Sequence, residues 1–284
     1  MIAKIIFSLL PIEAPYRLCL DRTNWKFGII DINILAIGVC YRGVAIPLLW
    51  TMLPKRGNSN QKERTDLINH FIRLFGTQSL ECILADREFI GDEWIADLIA
   101  LNVRFYFRIK ENMWVHVPHA GMRKAYWLFN SLPLRSAMSY RKIVQIGSQW
   151  VFLSGIKTLN RDGDIEYIII ATYNYDPKTL TVYKDRWQVE TMFRALKTSG
   201  FNFEDTHLNN IERISKLLCL LSIAFIWAYL TGIYRHENIK PIRIKKHGRR
   251  AYSYFKYGLT YIAHALLCLI LNDIDVIIKI LSCT

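Results

Sequence analysis

The amino-acid sequence predicts an α/β fold: a mixed five-stranded sheet with helices, interrupted by a β-rich insertion and followed by a helical C-terminus. Runs of alternating apolar residues and runs with apolar residues at helical spacing follow one another along the first 110 residues. The later part of the chain changes first to short β-type runs and then to long apolar helices. With 284 residues, of which 52% are hydrophobic, the chain has enough apolar surface for a large core.

The first elements are predicted to be three antiparallel strands joined as a meander. They cover residues 16–21, 27–41 and 43–53. A charged amphipathic helix over 62–76 comes next, and Gly76 is expected to end it.

The second half of the predicted core alternates strand, helix and strand. A short apolar run at 80–86 predicts the fourth strand, which leads directly into a helix over 87–102. The run 103–110 predicts the fifth strand. The element order is therefore three strands, helix, strand, helix, strand.

We divide the chain into four segments on this pattern. Residues 1–110 form the first part of the core, and 111–178 form the β-rich insertion, in which an Asp-Gly pair indicates a tight hairpin turn. Residues 179–234 form the rest of the core, with helices over 179–198 and 214–234. Residues 235–284 form a basic loop and a C-terminal helix.

The charge of the chain favours a polyanionic partner. Lys and Arg number 37 against 24 Asp and Glu, which gives a net charge of +13. Nucleic acid is the leading candidate and an anionic membrane surface the second. The cysteines are far apart with no CxxC pair, so we expect buried thiols in a reducing compartment, the cytoplasm, and neither a zinc cluster nor a disulfide framework.

One apolar segment raises the alternative of a membrane protein. Residues 217–234 run without a charge for 18 residues, which reaches the lower limit for crossing a bilayer. A buried core helix explains the segment with less strain, because the remaining chain alternates strands with helices. We therefore expect no membrane association.

A basic stretch follows this segment. Residues 235–250 carry seven Lys or Arg against one acid, and aromatic residues follow at 252–257. The stretch is either a DNA-contacting loop or a solvated loop with a partly buried aromatic patch, and the sequence does not decide between them.

The most informative motif lies on the predicted helix over 179–198. Tyr183, Arg186, Glu190 and Lys197 are spaced by three, four and seven residues, which puts them on one stripe of a helix. A carboxylate between cations can meet a metal ion while its neighbours hold phosphate oxygens. The competing interpretation is a solvated helix face with spaced ion pairs.

Two further acids follow predicted strands. Asp21 is expected at the end of the first strand and Asp86 just past the end of the fourth, so neighbouring strands would bring them together. With Glu190 they form the set of three carboxylates that two Mg²⁺ ions require for phosphodiester chemistry.

Three segments resemble the catalytic blocks of the insertion sequence 4 family of bacterial DDE transposases. They are DRTNWKFG at 21–28, ADREFIG at 85–91 and the Tyr183, Arg186, Glu190, Lys197 motif. The resemblance runs from about Leu10 to about Tyr234 and implies a ribonuclease H-like core. It further implies Asp21, Asp86 and Glu190 as catalytic metal ligands for Mg²⁺, for which Mn²⁺ can substitute.

The resemblance also implies an activity and partners. The expected activity is cut-and-paste DNA transposition through a DNA hairpin, with double-stranded transposon ends and target DNA as partners. The protein would be a homodimer on DNA, associated with the bacterial nucleoid. Tyr183, Arg186 and Lys197 match the residues that grip transposon-end phosphates in the family.

An aromatic residue of the family's insertion stacks on a flipped base. Trp114, Trp127 and Trp150 lie in the insertion here, but the sequence selects none of them, and hydrophobic packing is the favoured interpretation of each.

The chain departs from the family at its N-terminus. Relatives carry a further N-terminal region that helps to bind transposon ends, whereas this chain begins about twenty residues before Asp21. The alternative to an active transposase is therefore a truncated, inactive DNA-binding remnant.

Overall fold

In the part of the chain that the computed structural model describes, residues 2–27, 29–198 and 200–282, the strands form one 11-stranded mixed sheet. The strands are β1 (Tyr16–Phe27), β2 (Ile30–Tyr41), β3 (Val44–Met52), β4 (Leu80–Ala85), β5 (Phe105–Ile109), β6 (Trp114–Val117), β7 (Gly121–Lys124), β8 (Ala137–Ser139), β9 (Val144–Ile146), β10 (Gln149–Leu159) and β11 (Ile165–Thr172). The helices are α1 (Ile2–Leu9), α2 (Gln61–Phe75), α3 (Asp92–Ala100), α4 (Thr179–Tyr183), α5 (Trp187–Lys197), α6 (Ile211–Asn238), α7 (Tyr254–Leu267) and α8 (Leu271–Lys279). Gly28, in the first of the three resembling blocks, lies outside the described residues.

The first five strands lie side by side in the order β3-β2-β1-β4-β5. Strands β1, β2 and β3 pair antiparallel, which confirms the predicted meander. Strand β4 pairs parallel to β1, and β5 pairs parallel to β4. The parallel connections need crossovers, and α2 and α3 provide them.

The prediction of a five-stranded sheet is not confirmed, because hydrogen bonding continues beyond β5. Strand β11 pairs antiparallel with β5, and β10 pairs with β11. An exposed edge at β5 would leave backbone amide and carbonyl groups unpaired, and the apolar strand β11 covers that edge. The short strands β6, β7 and β8 were not predicted.

Helix α2 agrees with its predicted bounds, because residues at both of its ends favour its start and its stop. The side chain of Asn60 accepts a hydrogen bond from the Glu63 amide, and the Glu63 side chain accepts one from the Asn60 amide, so a capping box starts the helix. Gly76 follows the last turn with φ near 80°, a conformation that favours glycine.

Helix α6 is the longest helix and packs against both the sheet and the C-terminal helices. By length and composition it is the one helix of the described ranges that could cross a membrane, and half of its most apolar window is buried. Trp50 of β3 donates a hydrogen bond to Ser215, and Tyr229 donates one to the Arg42 carbonyl oxygen. These polar contacts with the sheet favour the interpretation as a core helix.

The C-terminal helix that the sequence predicted is two helices. Helix α7 ends at Leu267 and α8 begins at Leu271, with Leu269 between them at φ near 50°. Helix α7 lies very close to α6: Gly232 of α6 faces the backbone of α7, and Gly258 of α7 faces the backbone of α6.

Candidate active site

Asp21 and Asp86 occupy equivalent places on neighbouring parallel strands. Leu20 of β1 is paired with Ala85 of β4, and this is the last pair in the register. Asp21 follows Leu20 within β1, and Asp86 directly follows the last residue of β4. The structure therefore brings these two predicted acids together.

The prediction that Asp21 ends its strand is wrong. Strand β1 continues to Phe27, because residues beyond Asp21 remain paired with the long strand β2, with Asp21 itself opposite Ala36. Only the pairing with β4 stops at Leu20. Beyond that point the β4 chain turns away, as Asp86 accepts a hydrogen bond from the Arg87 amide (2.8 Å) and starts a 3-10 turn.

The Asp21 carboxyl is partly buried among other charges. Burial raises its pKa to about 7, and the charges of Glu88 and Asp86 act in the same direction. A hydrogen bond from the Arg22 amide (2.7 Å) and the charge of Arg186 act against this rise. A carboxylate that is costly to ionise gains most from a cation beside it.

Glu190 is held by Arg186. Arg186 Nη2 donates to Glu190 Oε1 at 2.5 Å, and the guanidinium is buried whereas about a third of the glutamate side chain (34%) is exposed. The charges of Asp86 and Asp21 both interact with Arg186, so this guanidinium links the two strand acids to the helix acid.

The helix that carries the motif is not regular from 179 to 198. Helix α4 ends at Tyr183, residues 184–186 form a 3-10 turn, and α5 begins at Trp187. Asp185 in the turn accepts a hydrogen bond from Arg17 of β1 (2.9 Å), which ties the turn to the sheet. The predicted single helix is thus two helices joined by a tighter turn.

Two of the three residues predicted to contact DNA are buried. Tyr183 is 7% exposed and Arg186 is 5% exposed. The Tyr183 hydroxyl and the Arg186 Nε atom are buried without a hydrogen-bond partner inside the described chain. Buried polar groups without a partner are costly, so these two atoms are unusual.

Lys197 lies apart from the acids, at the far end of α5. Its ammonium forms an ion pair with Glu204, donates to the Asn24 carbonyl oxygen (3.3 Å) and sits 5.4 Å from the centre of the Trp25 ring. Lys197 is eleven residues after Arg186, a distance of roughly 16 Å along a helix. The motif therefore runs alongside β1 rather than converging on one point.

Sequence reasoning left out two charged groups that contact the site. Arg22, beside Asp21, forms an ion pair with Glu88 (3.4 Å) and donates to Asn33 (3.2 Å). Glu88 also influences Asp21 through its charge. The sequence could have indicated both residues by their positions close to Asp21 and Asp86. They were left out because charged residues beside strand ends are more often solvated.

Arg64 supports the turn that follows Asp86. It is buried and donates to the Ser59 hydroxyl (2.8 Å), the Ser59 carbonyl (2.6 Å) and the Glu88 carbonyl (3.2 Å). Its guanidinium also lies 5.0 Å from the centre of the Phe89 ring. No pattern in the sequence distinguishes Arg64 from the other cations of α2.

The residues present fit a divalent cation in part. Carboxylate oxygens are the donors that Mg²⁺ prefers, and Asp21 and Asp86 are adjacent. In the described ranges, however, no three Asp, Glu, His or Cys side chains form a group that could hold a metal ion. Glu190 is paired with Arg186 and is partly exposed.

The packing interpretation of the insertion tryptophans is wrong. Trp114 is 55% exposed, and Trp127 and Trp150 are each 43% exposed. Lys124 lies 4.0 Å from the centre of a Trp114 ring, and Arg123 lies 5.5 Å from that of Trp127. The insertion thus presents aromatic rings with cations beside them to solvent.

Comparison with known proteins defines the class. Residues 47–227 match the family described as the transposase DDE domain. The match spans more than half of the chain, so the protein belongs to the transposase DDE domain family, whose members act in DNA transposition and recombination. The matched region includes Asp86 and Glu190 and begins after Asp21.

Solved structures show distant likeness. The chain is similar to the piggyBac transposase in a synaptic complex with hairpin DNA, with 12% identity and a TM-score of 0.49. The match covers 97% of this chain and 59% of that one. It is also similar to Endonuclease V of Ciona intestinalis in complex with DNA, with 8% identity and a TM-score of 0.39 over 70% of this chain and 95% of that chain. This chain thus spans 59% of the length of the piggyBac transposase chain. No curated protein matched it.

Proposed function

We propose that the protein is the catalytic domain of a DNA transposase of the insertion sequence 4 family, built on a ribonuclease H-like core. It would cut and rejoin phosphodiesters at transposon ends. The observation that supports this most strongly is the register of β1 and β4. Asp21 and Asp86 directly follow the pair Leu20 and Ala85, and Arg186 joins them electrostatically to Glu190.

Asp21, Asp86 and Glu190 would hold Mg²⁺, with Mn²⁺ able to replace it. When bound, the metal ions supply the positive charge that activates a nucleophilic oxygen and stabilises a leaving oxygen at phosphorus. Burial supports Asp21 as a ligand, because its carboxylate is unfavourable without a neighbouring cation.

In this proposal Arg186 donates hydrogen bonds either to Glu190 or to a DNA phosphodiester. Without DNA it neutralises Glu190. A phosphodiester entering the site would accept hydrogen bonds from the guanidinium, including its unpartnered Nε, and from the unpartnered Tyr183 hydroxyl. DNA binding would thereby free Glu190 as a ligand.

Lys197 would contact the same DNA strand at a different phosphate, because it lies at the other end of α5. The exposed insertion residues Trp114, Trp127 and Trp150 are the candidates for stacking on a flipped base. The four segments predicted from the sequence are retained as proposed domains, with 111–178 as the insertion.

The proposed reaction is cut-and-paste transposition. Attack by water frees a 3′ hydroxyl at the transposon end, and that hydroxyl attacks the opposite strand to give a DNA hairpin. Reopening of the hairpin precedes joining to target DNA. Each step exchanges one phosphodiester oxygen for another, so the protein forms no covalent intermediate. The proposed partners are transposon-end and target duplexes, bound by a homodimer in the bacterial cytoplasm.

Strand cleavage tests the proposal. The substrate is an end-labelled duplex carrying the terminal repeats that flank the gene, incubated with the full chain and Mg²⁺. We expect cleavage at the repeat end, and its loss in Asp21→Asn, Asp86→Asn and Glu190→Gln. Asp66→Asn on α2 is the matched control, since Asp66 is exposed and lies outside the site. Wild-type cleavage that persists in Asp21→Asn removes that acid from the mechanism.

A second candidate function is DNA binding without catalysis. The observation that favours it is the Arg186–Glu190 ion pair, which occupies the third acid. This candidate predicts salt-sensitive DNA binding by the wild-type protein and no cleavage at any Mg²⁺ concentration.

A further inference from the structure

A cavity lined by arginines lies beside the middle of α5, next to the turn of the helix that follows Glu190. It sits between the turn that joins β2 to β3, helix α5 and the start of α7, and its volume is about 380 Å³. Arg42, Arg194 and Arg250 line it, together with the hydroxyl residues Thr191 and Ser253. A water molecule takes about 30 Å³ of liquid, so the cavity has room for a phosphate group and its hydration. No residue assigned above to catalysis or to the DNA-gripping motif lines it.

The positive charge of the cavity is poorly balanced. Within the described ranges Arg194 and Arg250 have no acidic partner, and Arg42 pairs with Glu237 at 2.5 Å. Three guanidinium groups therefore face one carboxylate. The three arginine side chains are exposed, so they are open to an anion in solution.

The arginines are also spatially ordered by an aromatic ring. The centre of the Tyr254 ring lies 4.2 Å from Arg250 Cζ and 5.9 Å from Arg42 Cζ. Both cations act on the buried Tyr229, where their charges oppose the rise in pKa that burial causes. Two chain segments about 200 residues apart thus deliver guanidinium groups to the same place.

The start of α7 adds to the attraction for an anion. The Ser253 hydroxyl accepts a hydrogen bond from the Lys256 amide and caps the helix (3.2 Å), and the positive end of the helix dipole lies at this cap. A second groove shares Ser253 and continues past Lys256 towards Thr198 at the end of α5. The cavity and the second groove therefore adjoin each other beside α5, and the basic loop that ends in Arg250 borders the cavity.

We propose that this cavity binds a backbone phosphate of duplex DNA away from the bond that is cut. Guanidinium groups bind phosphate oxygens through paired hydrogen bonds, and the site reads no base because its ligand is the backbone. The exposed arginines and the open groove suit a polymer that passes over the surface. The inference rests on the proposed function in that it takes the ligand to be DNA.

Salt dependence of DNA binding tests the cavity. The probe is a fluorescein-labelled 30-base-pair duplex, bound to the full chain and followed by anisotropy between 50 and 300 mM NaCl. The test variant is Arg194→Ala with Arg250→Ala. The matched control is Arg73→Ala with Arg213→Ala, which removes two positive charges from α2 and the start of α6, outside the cavity.

We expect the slope of log affinity against log salt to become flatter by about 1 in the test variant, since the cavity binds one phosphate and each phosphate contact contributes about 0.9. The affinity at low salt should fall about tenfold or more, and Arg194→Lys with Arg250→Lys should restore most of the slope. The control should differ from wild type by less than about half a contact. A test variant with the wild-type slope, or with the slope of the control, overturns the proposal.

Two further readings keep this inference separate from the proposed function. If the wild type cleaves DNA while the test variant keeps its slope, the cavity is not a DNA site but the catalytic proposal stands. If the slope falls as expected but the wild type does not cleave, the cavity is a DNA site on a non-catalytic protein. Thermal unfolding with inorganic phosphate is the last arm: stabilisation that the test variant loses, with an unchanged DNA slope, assigns the cavity to a free anion and overturns the proposal.

Discussion

Arg186 and Glu190 are joined by a 2.5 Å ion pair in which the guanidinium is buried and the carboxylate is partly exposed. The pair lies where the 3-10 turn passes into α5, and Arg186 also feels the charges of Asp21 and Asp86. One cation thus interacts with all three acids.

The first prediction concerns the stability that this pair provides. Glu190→Gln should lower the free energy of unfolding by about 1–2 kcal/mol, because a buried guanidinium loses its charged acceptor while partial exposure of the pair limits the loss. Urea unfolding measures it. Glu13→Gln, at an exposed residue without a partner in the described chain, should change stability by less than about 0.5 kcal/mol. Equal values for the two variants would show that the pair contributes nothing.

The second prediction concerns pH. The pKa of Asp21 is raised in the folded protein to about 7 from 3.8, so its carboxylate form opposes folding. The folded state therefore loses stability relative to the unfolded state as pH rises from about 4 to about 7. Asp21→Asn should be more stable than wild type at pH 8, by about 1–3 kcal/mol beyond any difference at pH 5.

Urea unfolding at pH 5 and pH 8, with EDTA present, measures this difference. Asp66→Asn serves as the control and should show the same difference from wild type at both pH values. An Asp21→Asn protein whose advantage does not grow with pH would contradict the burial argument.

The third prediction concerns the support of Asp86. Arg64→Met should cost about 2–3 kcal/mol, because the Ser59 and Glu88 carbonyls lose a buried donor and the packing on Phe89 changes. The same substitution at Arg73, also on α2 but without these contacts, should be nearly neutral. Guanidinium chloride unfolding of both variants measures the change in the free energy of unfolding. A decrease below about 0.5 kcal/mol for Arg64→Met would show that Arg64 does not support the turn after Asp86.

The fourth prediction concerns the contact between α6 and α7. A Cβ atom at Gly258 would lie 1.8 Å from the Ala228 carbonyl oxygen, so the helices would have to separate. Gly258→Ala should cost about 3 kcal/mol or more. Gly91→Ala is the control, because its Cβ would meet only Trp94 at 3.9 Å. Differential scanning calorimetry should show a clearly lower Tm for Gly258→Ala and a small change for Gly91→Ala.

The sequence predicted the elements whose patterns are long and local. Strands β1 to β5 and helix α2 have enough alternating or helical spacing to be recognised, and the capping residues mark where α2 ends. Strands of three or four residues such as β7 and β8 have no measurable period. The pairing of β11 with β5 joins residues about 60 apart in the chain, so no local pattern could indicate it.

The site could be predicted only as a set of residues. The parallel pairing of β1 with β4 places Asp21 beside Asp86. The sequence predicted that the two acids would meet if their strands were neighbours in one sheet. Helical spacing relates Tyr183 to Arg186 but does not say which face meets the sheet, and both residues prove to be buried. The link from Arg17 to Asp185, which fixes that face, spans 168 residues.

The central claim is that Asp21, Asp86 and Glu190 share one metal site, and iron-dependent cleavage of the protein backbone tests it most directly. Fe²⁺ replaces Mg²⁺ in the full chain bound to DNA, and peroxide with ascorbate cuts the chain next to the bound ion. We predict fragments that end near residues 21, 86 and 190, all suppressed by excess Mg²⁺ and all lost together in Asp86→Asn. Cuts at one or none of these places, or cuts that persist in Asp86→Asn, would contradict the account.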